Sequence, residues 1–245
     1  MVRSGMLALT ALGLSLTSQA AARGTVTQEM IRGRTGLPAV REGEGNVWVH
    51  RGWVVLQASG KDVTITQQFH LKYPGAGIET GDQRIRVAVR EDYFRKMPPG
   101  HAITTAEARG FNRFAVWLDG RSIESRSTEW ELNDRKDTAT RWREFWIGFK
   151  PGQLRTLRIV STAPLGTRGG RHFVQFVSKD LGKWRAVPDM LEIRFKAPGT
   201  TEARLAGVEP DPDDISRNGV RWVYRKADPD RDIFVLLPAG RRTRR

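Results

Sequence analysis

The sequence contains no cysteine among its 245 residues. This absence excludes a disulfide framework, a thiol nucleophile, thiolate metal sites and lipid attachment to an N-terminal cysteine. Only four histidines are present, and no pair of them has the spacing of a metal motif such as H-E-x-x-H. The G-x-S-x-G and S-x-x-K motifs of serine nucleophiles are also missing. We therefore predict no catalytic residue, metal or cofactor, although a triad assembled from separate loops would leave no such motif.

Acidic residues form one pattern that imitates a metal site. Asp228, Asp230 and Asp232 alternate along the chain, as at the opening of a calcium-binding loop. Ile233 then occupies the position at which that loop requires glycine, and no bidentate glutamate follows. We interpret the segment as a polar turn whose geometry is set by proline and aspartate.

Long apolar runs are missing except at the N-terminus, which reads MVRSGMLALTALGLSLTSQAAARG. One basic residue, about a dozen mainly apolar residues and a small-residue A-x-A site are typical of a secretory signal peptide, and the apolar segment is too short to span a bilayer. We predict a signal peptide at residues 1–22 and a mature chain without a transmembrane segment. The predicted location is the periplasm or the exterior of a bacterium.

Negative charge is scarce relative to positive charge, since 41 lysines and arginines outnumber 27 acidic residues. Part of the excess lies in the last five residues, and the remainder is spread along the chain. A basic surface attracts anionic polymers or lipid headgroups, but salt screens this attraction. We predict weak binding to anionic surfaces and no specific nucleic-acid binding. The candidate polyanion-binding residues are Arg241, Arg242, Arg244 and Arg245.

Alternation of apolar and polar residues is the dominant pattern that is present. Val63, Ile65, Phe69 and Leu71 alternate with polar residues, which predicts a half-buried strand. The preceding segment is rich in valine and tryptophan, and SGKD separates the two, so residues 46–73 should form a β-hairpin. The pair Asp119-Gly120 predicts a second hairpin. Between them we expect a short strand at residues 84–89 and at most a short helix at residues 93–96.

Beyond residue 164 short apolar segments are separated by proline, glycine and aspartate. This pattern predicts an all-β protein with antiparallel β-sandwich architecture. The number of strands favours two sandwich-like units, and a single sandwich with long connections is the alternative. The predicted division is a signal peptide at 1–22, an N-terminal extension at 23–45, sandwich units at 46–163 and 164–240, and a basic tail at 241–245.

The stretch WREFWIGFKPGQLRTLRIV, residues 142–160, contains the aromatic residues of greatest interest. Alternation places Phe145, Ile147 and Phe149 on one face of a strand and Trp142 and Trp146 on the other. Pro151-Gly152 predicts a turn, so we interpret the whole stretch as a hairpin. Aromatic rings stack on sugar rings, and although most of the eight tryptophans should belong to the core, Trp142 and Trp146 are candidate ligand-binding residues.

Four segments follow one another along the chain, namely the hairpin at 46–73, PGQLRTLRI, KWRAVPDMLEIRF and GVRWVYRKADPDRDIFVLLP. Their order resembles that of uncharacterised secreted bacterial β-sandwich proteins, a domain-of-unknown-function family. The resemblance implies a β-sandwich fold. It brings no catalytic residue with it.

The sequence leaves three functional hypotheses. The leading one is an exported, non-enzymatic module that binds or assembles in the cell envelope, with a glycan or another envelope protein as partner. The second is a carbohydrate-binding module or glycan-active enzyme that uses exposed tryptophans. The third is attachment to anionic surfaces through the basic tail.

Overall fold

The computed structural model describes residues 30–43, 46–74, 81–95, 100–178, 184, 186–197, 205–217 and 219–238. The regular elements in these ranges are β-strands, and none of the described segments is a helix able to cross a membrane. The first nine strands are β1 (Met30–Gly36), β2 (Ala39–Glu42), β3 (Trp48–Ser59), β4 (Asp62–Lys72), β5 (Gln83–Arg95), β6 (Arg113–Leu118), β7 (Arg121–Ile123), β8 (Arg126–Ser127) and β9 (Glu131–Leu132). The others are β10 (Thr138–Phe149), β11 (Leu154–Pro164), β12 (Gly166–Arg168), β13 (Arg171–Val177), β14 (Met190–Lys196), β15 (Gly207–Glu209), β16 (Asp214–Ser216), β17 (Gly219–Arg225) and β18 (Ile233–Leu236).

The strands form two sheets. A ten-stranded sheet has the order β15-β18-β13-β12-β1-β5-β10-β8, with β2 beside β5 and β9 beside β10. An eight-stranded sheet has the order β16-β17-β14-β3-β4-β11-β6-β7. Most neighbouring strands are antiparallel, whereas β14 lies parallel to β3 and β13 parallel to β1. The predicted all-β sandwich class is confirmed.

One hydrophobic core lies between the sheets. The eight-stranded sheet contributes alternate side chains of β3 and β4, and the ten-stranded sheet contributes alternate side chains of β5 and β10. Buried members include Val54, Leu56, Ile65, Phe69, Ile85, Val87, Phe145, Ile147 and Phe149. Because the same cluster draws on both sheets, the strands bury the face that points between the sheets, and β5 also buries parts of its other face, at Ala88 and Asp92.

The two sheets do not follow the predicted division at residue 164. In the eight-stranded sheet β3 pairs with β14, and in the ten-stranded sheet β1 pairs with β12 and β13. Hydrogen bonds within each sheet therefore join strands from both predicted units, as in the single-sandwich alternative. Within the segment predicted as an N-terminal extension, β1 and β2 belong to the ten-stranded sheet.

The stretch at residues 142–160 is not a hairpin. Its two strands are β10 and β11, which belong to different sheets and do not pair with each other. The turn between them is closed by the bond from the Gln153 amide to the Lys150 carbonyl, at 3.0 Å, and it carries the chain across the core. Phe145, Ile147 and Phe149, which alternation places on one face, are nevertheless buried, and so is Leu157 of β11. Alternation predicted the faces correctly because a strand buries alternate side chains whichever sheet it joins.

The other local predictions have mixed outcomes. The hairpin of β3 and β4 and the hairpin of β6 and β7 are confirmed, and in the latter Asp119 and Gly120 have φ angles of 51° and 81°. The predicted helix at residues 93–96 is wrong where it is described, since β5 continues to Arg95. Pairing with β1 and β10 satisfies the backbone of β5 on both sides, which favours a strand.

Tyr224 on β17 makes the stability of the fold decrease at alkaline pH. Burial raises the pKa of Tyr224 from its usual 10.0 to about 12, with smaller contributions from the carboxylates of Asp230 and Asp213. The folded state thus holds the phenol proton more tightly than the unfolded state does. The resulting stability is complete below pH 10 and is lost as the pH rises towards 12.

We therefore expect the free energy of unfolding to fall between about pH 10 and pH 12 less steeply in Tyr224→Phe than in the wild type. Urea denaturation at several pH values across this range measures the free energy of unfolding of both proteins. Other groups titrate there too, so the difference between the two proteins is the relevant quantity. Parallel curves for the two proteins would contradict the assignment.

Candidate functional site

The candidate site lies on the outer face of the ten-stranded sheet, where β5 and β10 pair over their full lengths. The register places Trp142 opposite Arg90, Glu144 opposite Ala88 and Trp146 opposite Arg86. Side chains of directly opposed residues stand side by side on a sheet. The pairing therefore sets tryptophans from one strand among arginines from the other.

The structure places the two predicted tryptophans on this same face but in different surroundings. Trp146 is 41% exposed, and the guanidinium carbon of Arg84 lies 4.7 Å from its ring centroid. Trp142 is only half-exposed, because the guanidinium of Arg41 lies 4.4 Å from the centroid of its ring. Cation–π contacts of this kind hold an indole in one orientation. Trp146 is therefore the better placed of the two rings for contact with a ligand.

Trp146 lines a surface cleft of about 460 Å³. The cleft is larger than two others on the surface, of about 360 and 190 Å³. Its walls come from β5, from β10 and from the segment that runs from the end of β7 to the start of β8. The lining residues are Arg84, Arg86, Ile123, Glu124, Arg126, Glu144, Phe145 and Trp146. Five of these eight residues are charged, so the cleft is more polar than most small-ligand sites, and it combines an exposed aromatic ring with hydrogen-bonding side chains.

Ion pairs organise the polar wall of the cleft. Arg86 lies 2.8 Å from a carboxylate oxygen of Glu42 and 3.2 Å from one of Glu144. Arg126 lies 3.5 Å from Glu124, and both of these side chains are largely exposed. The Arg86 pairs join side chains of β2, β5 and β10, three strands whose spacing is set by their backbone pairing.

A buried carboxylate supports the same strand pair from the opposite face. Glu91 of β5 is 0% exposed and pairs with Arg141 and Arg143 of β10. The Phe111 amide also donates to Glu91, at 3.1 Å. Taking a charge out of water is unfavourable unless partners of this kind surround it. The network ties β5, β10 and the segment before β6 together beneath the site.

The other tryptophans lie in the core, in the eight-stranded sheet and, for the partly buried Trp130, between β8 and β9. Trp184 and Trp222 are buried and donate to the carbonyls of Pro38 and Pro210, at 2.8 and 2.9 Å. They are the two buried tryptophans among the eight, so the prediction that most of the tryptophans belong to the core is wrong. Trp53 and Trp117 are half-exposed on the outer face of the eight-stranded sheet.

Other sequence candidates do not join the cleft. Arg241, Arg242, Arg244 and Arg245 lie outside the described residues, so the polyanion-binding role of the tail stays a prediction. His50 pairs with Asp189 at 2.6 Å, away from β5 and β10. Among the residues that the structure places, no group of three or more histidine, aspartate or glutamate side chains is arranged to hold a metal ion.

Sequence reasoning missed the arginines of the cleft. Arg84 and Arg86 lie two positions apart on β5 and share a face, which alternation alone could have indicated. Their position beside Trp146 depends on the pairing of β5 with β10, two strands that are distant in the chain. No local sequence signal specifies such a pairing.

Comparisons with known proteins identify the fold and no family. No protein-family model and no curated protein matches the sequence, so the resemblance to secreted proteins of unknown function stays a prediction. A Legionella pneumophila protein to which nutrient binding is ascribed is similar with a TM-score of 0.58 and 12% identity, covering 86% of this chain and 72% of its own.

Weaker similarities also exist. An M1 zinc metallopeptidase of Deinococcus radiodurans has a TM-score of 0.40 and 11% identity, covering 82% of this chain and 43% of its own. This score is too low to support an argument. The Legionella protein has a similar fold, and at 12% identity the comparison establishes nothing beyond the fold.

Proposed function

We propose that this protein is an exported, non-enzymatic binding module of the bacterial cell envelope, and that the cleft beside Trp146 binds a glycan. The observation that carries the proposal is the exposed indole at the wall of a cleft with polar side chains around it. A sugar ring presents an apolar face that packs on an indole and hydroxyl groups that pair with arginine and glutamate. The binding role ascribed to the Legionella protein of similar fold supports the proposal.

The scaffold suits binding without rearrangement. Trp146 stands on a strand that is paired with β5 along its whole length, and arginines of β5 contact its ring. A ring fixed in this way loses little conformational freedom when a ligand stacks on it. We infer that the site is formed before the ligand arrives.

We expect Trp146→Ala to weaken glycan binding by about tenfold, which corresponds to about 1.4 kcal/mol of lost stacking. Binding is measured by calorimetry against soluble peptidoglycan fragments, neutral oligosaccharides and acidic oligosaccharides. Trp117→Ala is the matched control, because Trp117 is also a half-exposed outer-face tryptophan but belongs to the other sheet.

Equal losses in the two variants, or no loss in Trp146→Ala, would refute the role of the cleft.

The non-enzymatic part of the proposal has its own test. Turnover of any glycan by purified protein, abolished by one point mutation, would contradict it.

A further inference from the structure

The cleft has an excess of positive charge. Three guanidinium groups line it, those of Arg84, Arg86 and Arg126, against the two carboxylates of Glu124 and Glu144. The charges are not equivalent, because their partners differ. Arg86 contacts two carboxylates and Arg126 contacts one.

Arg84 has a different environment from the other two arginines. Within the ranges that the structure describes, no carboxylate lies within ion-pair distance of Arg84, and its guanidinium lies against the ring of Trp146. The side chain is exposed at the cleft. Of the three arginines in the cleft, Arg84 is therefore the one that has no carboxylate partner among the described residues.

The stacked position of Arg84 favours a planar anion. A guanidinium that lies against an aromatic face keeps the N–H groups of its edge for hydrogen bonds, and two of these match the two oxygens of a carboxylate. Stacking also restricts the side chain before binding, so less conformational entropy is lost when the pair forms.

Resting on the glycan-binding function proposed above, we propose that the ligand is a carboxylated glycan, with a uronic-acid type of sugar at the cleft. Trp146 contacts the sugar ring, and the ring carboxylate accepts hydrogen bonds from Arg84. The carboxyl group of such a sugar is attached directly to the ring. One residue of the ligand can thus reach the indole and the neighbouring guanidinium together.

The test compares an oligogalacturonate with its methyl ester, which has the same rings without the charge. Calorimetry should show that the wild-type protein binds the acid at least tenfold more tightly than the ester. Arg84→Gln should weaken binding of the acid by about tenfold to a hundredfold, the range for hydrogen bonds to charged groups. Binding of the ester should weaken less than binding of the acid in that variant, because the ester loses only the support that Arg84 gives to the Trp146 ring.

Arg126→Gln is the matched control, because it removes the same charge from the same cleft at a side chain that already has a carboxylate partner. An equal loss in Arg126→Gln would show that net charge alone matters and would overturn the proposal. Equal affinities for acid and ester would also overturn the proposal, and so would binding of neutral glycans without binding of oligogalacturonate. In both of these cases, Trp146-dependent binding would still support the function proposed above. Absence of any Trp146-dependent glycan binding would overturn both. Thermal unfolding of each variant checks that the exposed substitutions leave the fold intact.

Discussion

Replacing Glu91 with glutamine should lower the free energy of unfolding by about 3 kcal/mol, because it leaves the buried ends of two arginines without their carboxylate. Glu91 is fully buried, whereas Arg141 and Arg143 are about one-fifth exposed. Water can partly solvate the arginines, so we expect the lower end of the range for broken buried pairs. Urea denaturation with a two-state fit measures the change.

The matched control is Asp230→Asn, which removes a carboxylate that lies 3.9 Å from Arg231 between two largely exposed side chains. Exposed pairs contribute about 0–1 kcal/mol, so this variant should unfold almost as the wild type does. Similar losses in the two variants would show that the buried network has no special role. Loss of glycan binding by Glu91→Gln at a temperature where it stays folded would indicate that the network also positions β10.

Gly219→Ala should destabilise the fold by about 4 kcal/mol, for two separate reasons. Gly219 has a φ of 111°, a conformation that costs an L-residue about 1–3 kcal/mol. An added Cβ would also overlap the carbonyl oxygen of Phe195 and lie 3.1 Å from its carbonyl carbon. Because the obstacle is backbone of the paired strand β14, relief requires movement of the β14–β17 ladder, and such overpacking costs about 1–3 kcal/mol more.

Gly120→Ala separates the two contributions. Gly120 has a φ of 81° but no atom within 4 Å of an added Cβ, so only the backbone conformation is affected. We expect a loss of about 1–2 kcal/mol there. Urea denaturation of both variants gives the difference, which measures the clash with Phe195. Equal losses would mean that the clash is relieved without cost.

The fold class was predictable because alternation is a local property. Val63, Ile65 and Phe69 mark the buried face of β4 wherever that strand lies in the molecule. Pairing between distant strands is not local. The proline and glycine turn after β10 is compatible with a hairpin and with a crossing between sheets, and only the partners of the two strands distinguish these cases.

The candidate site was predictable in part for the same reason. Alternation placed Trp142 and Trp146 on one face, but it could not show that Arg41 covers the first ring while the second stays exposed. Polar residues at core-facing positions were an unused signal. Gln67 and Glu91 both occupy such positions and are fully buried, and Glu91 is the centre of the network beneath the site.

The pairing of β3 with β14 has a consequence for how the chain reaches its native state. His50 meets Asp189 across 139 positions, and β14 separates β3 from β17 in the same sheet. Parallel pairing of strands so far apart in sequence requires a long loop to close before any contact is gained, which makes folding slow. During synthesis the first half of the chain must wait with the edge of β3 unpaired until β14 emerges. An open strand edge of this kind can pair with other chains and aggregate. The yield of folded protein should therefore depend on how well this edge is protected until β14 pairs with it.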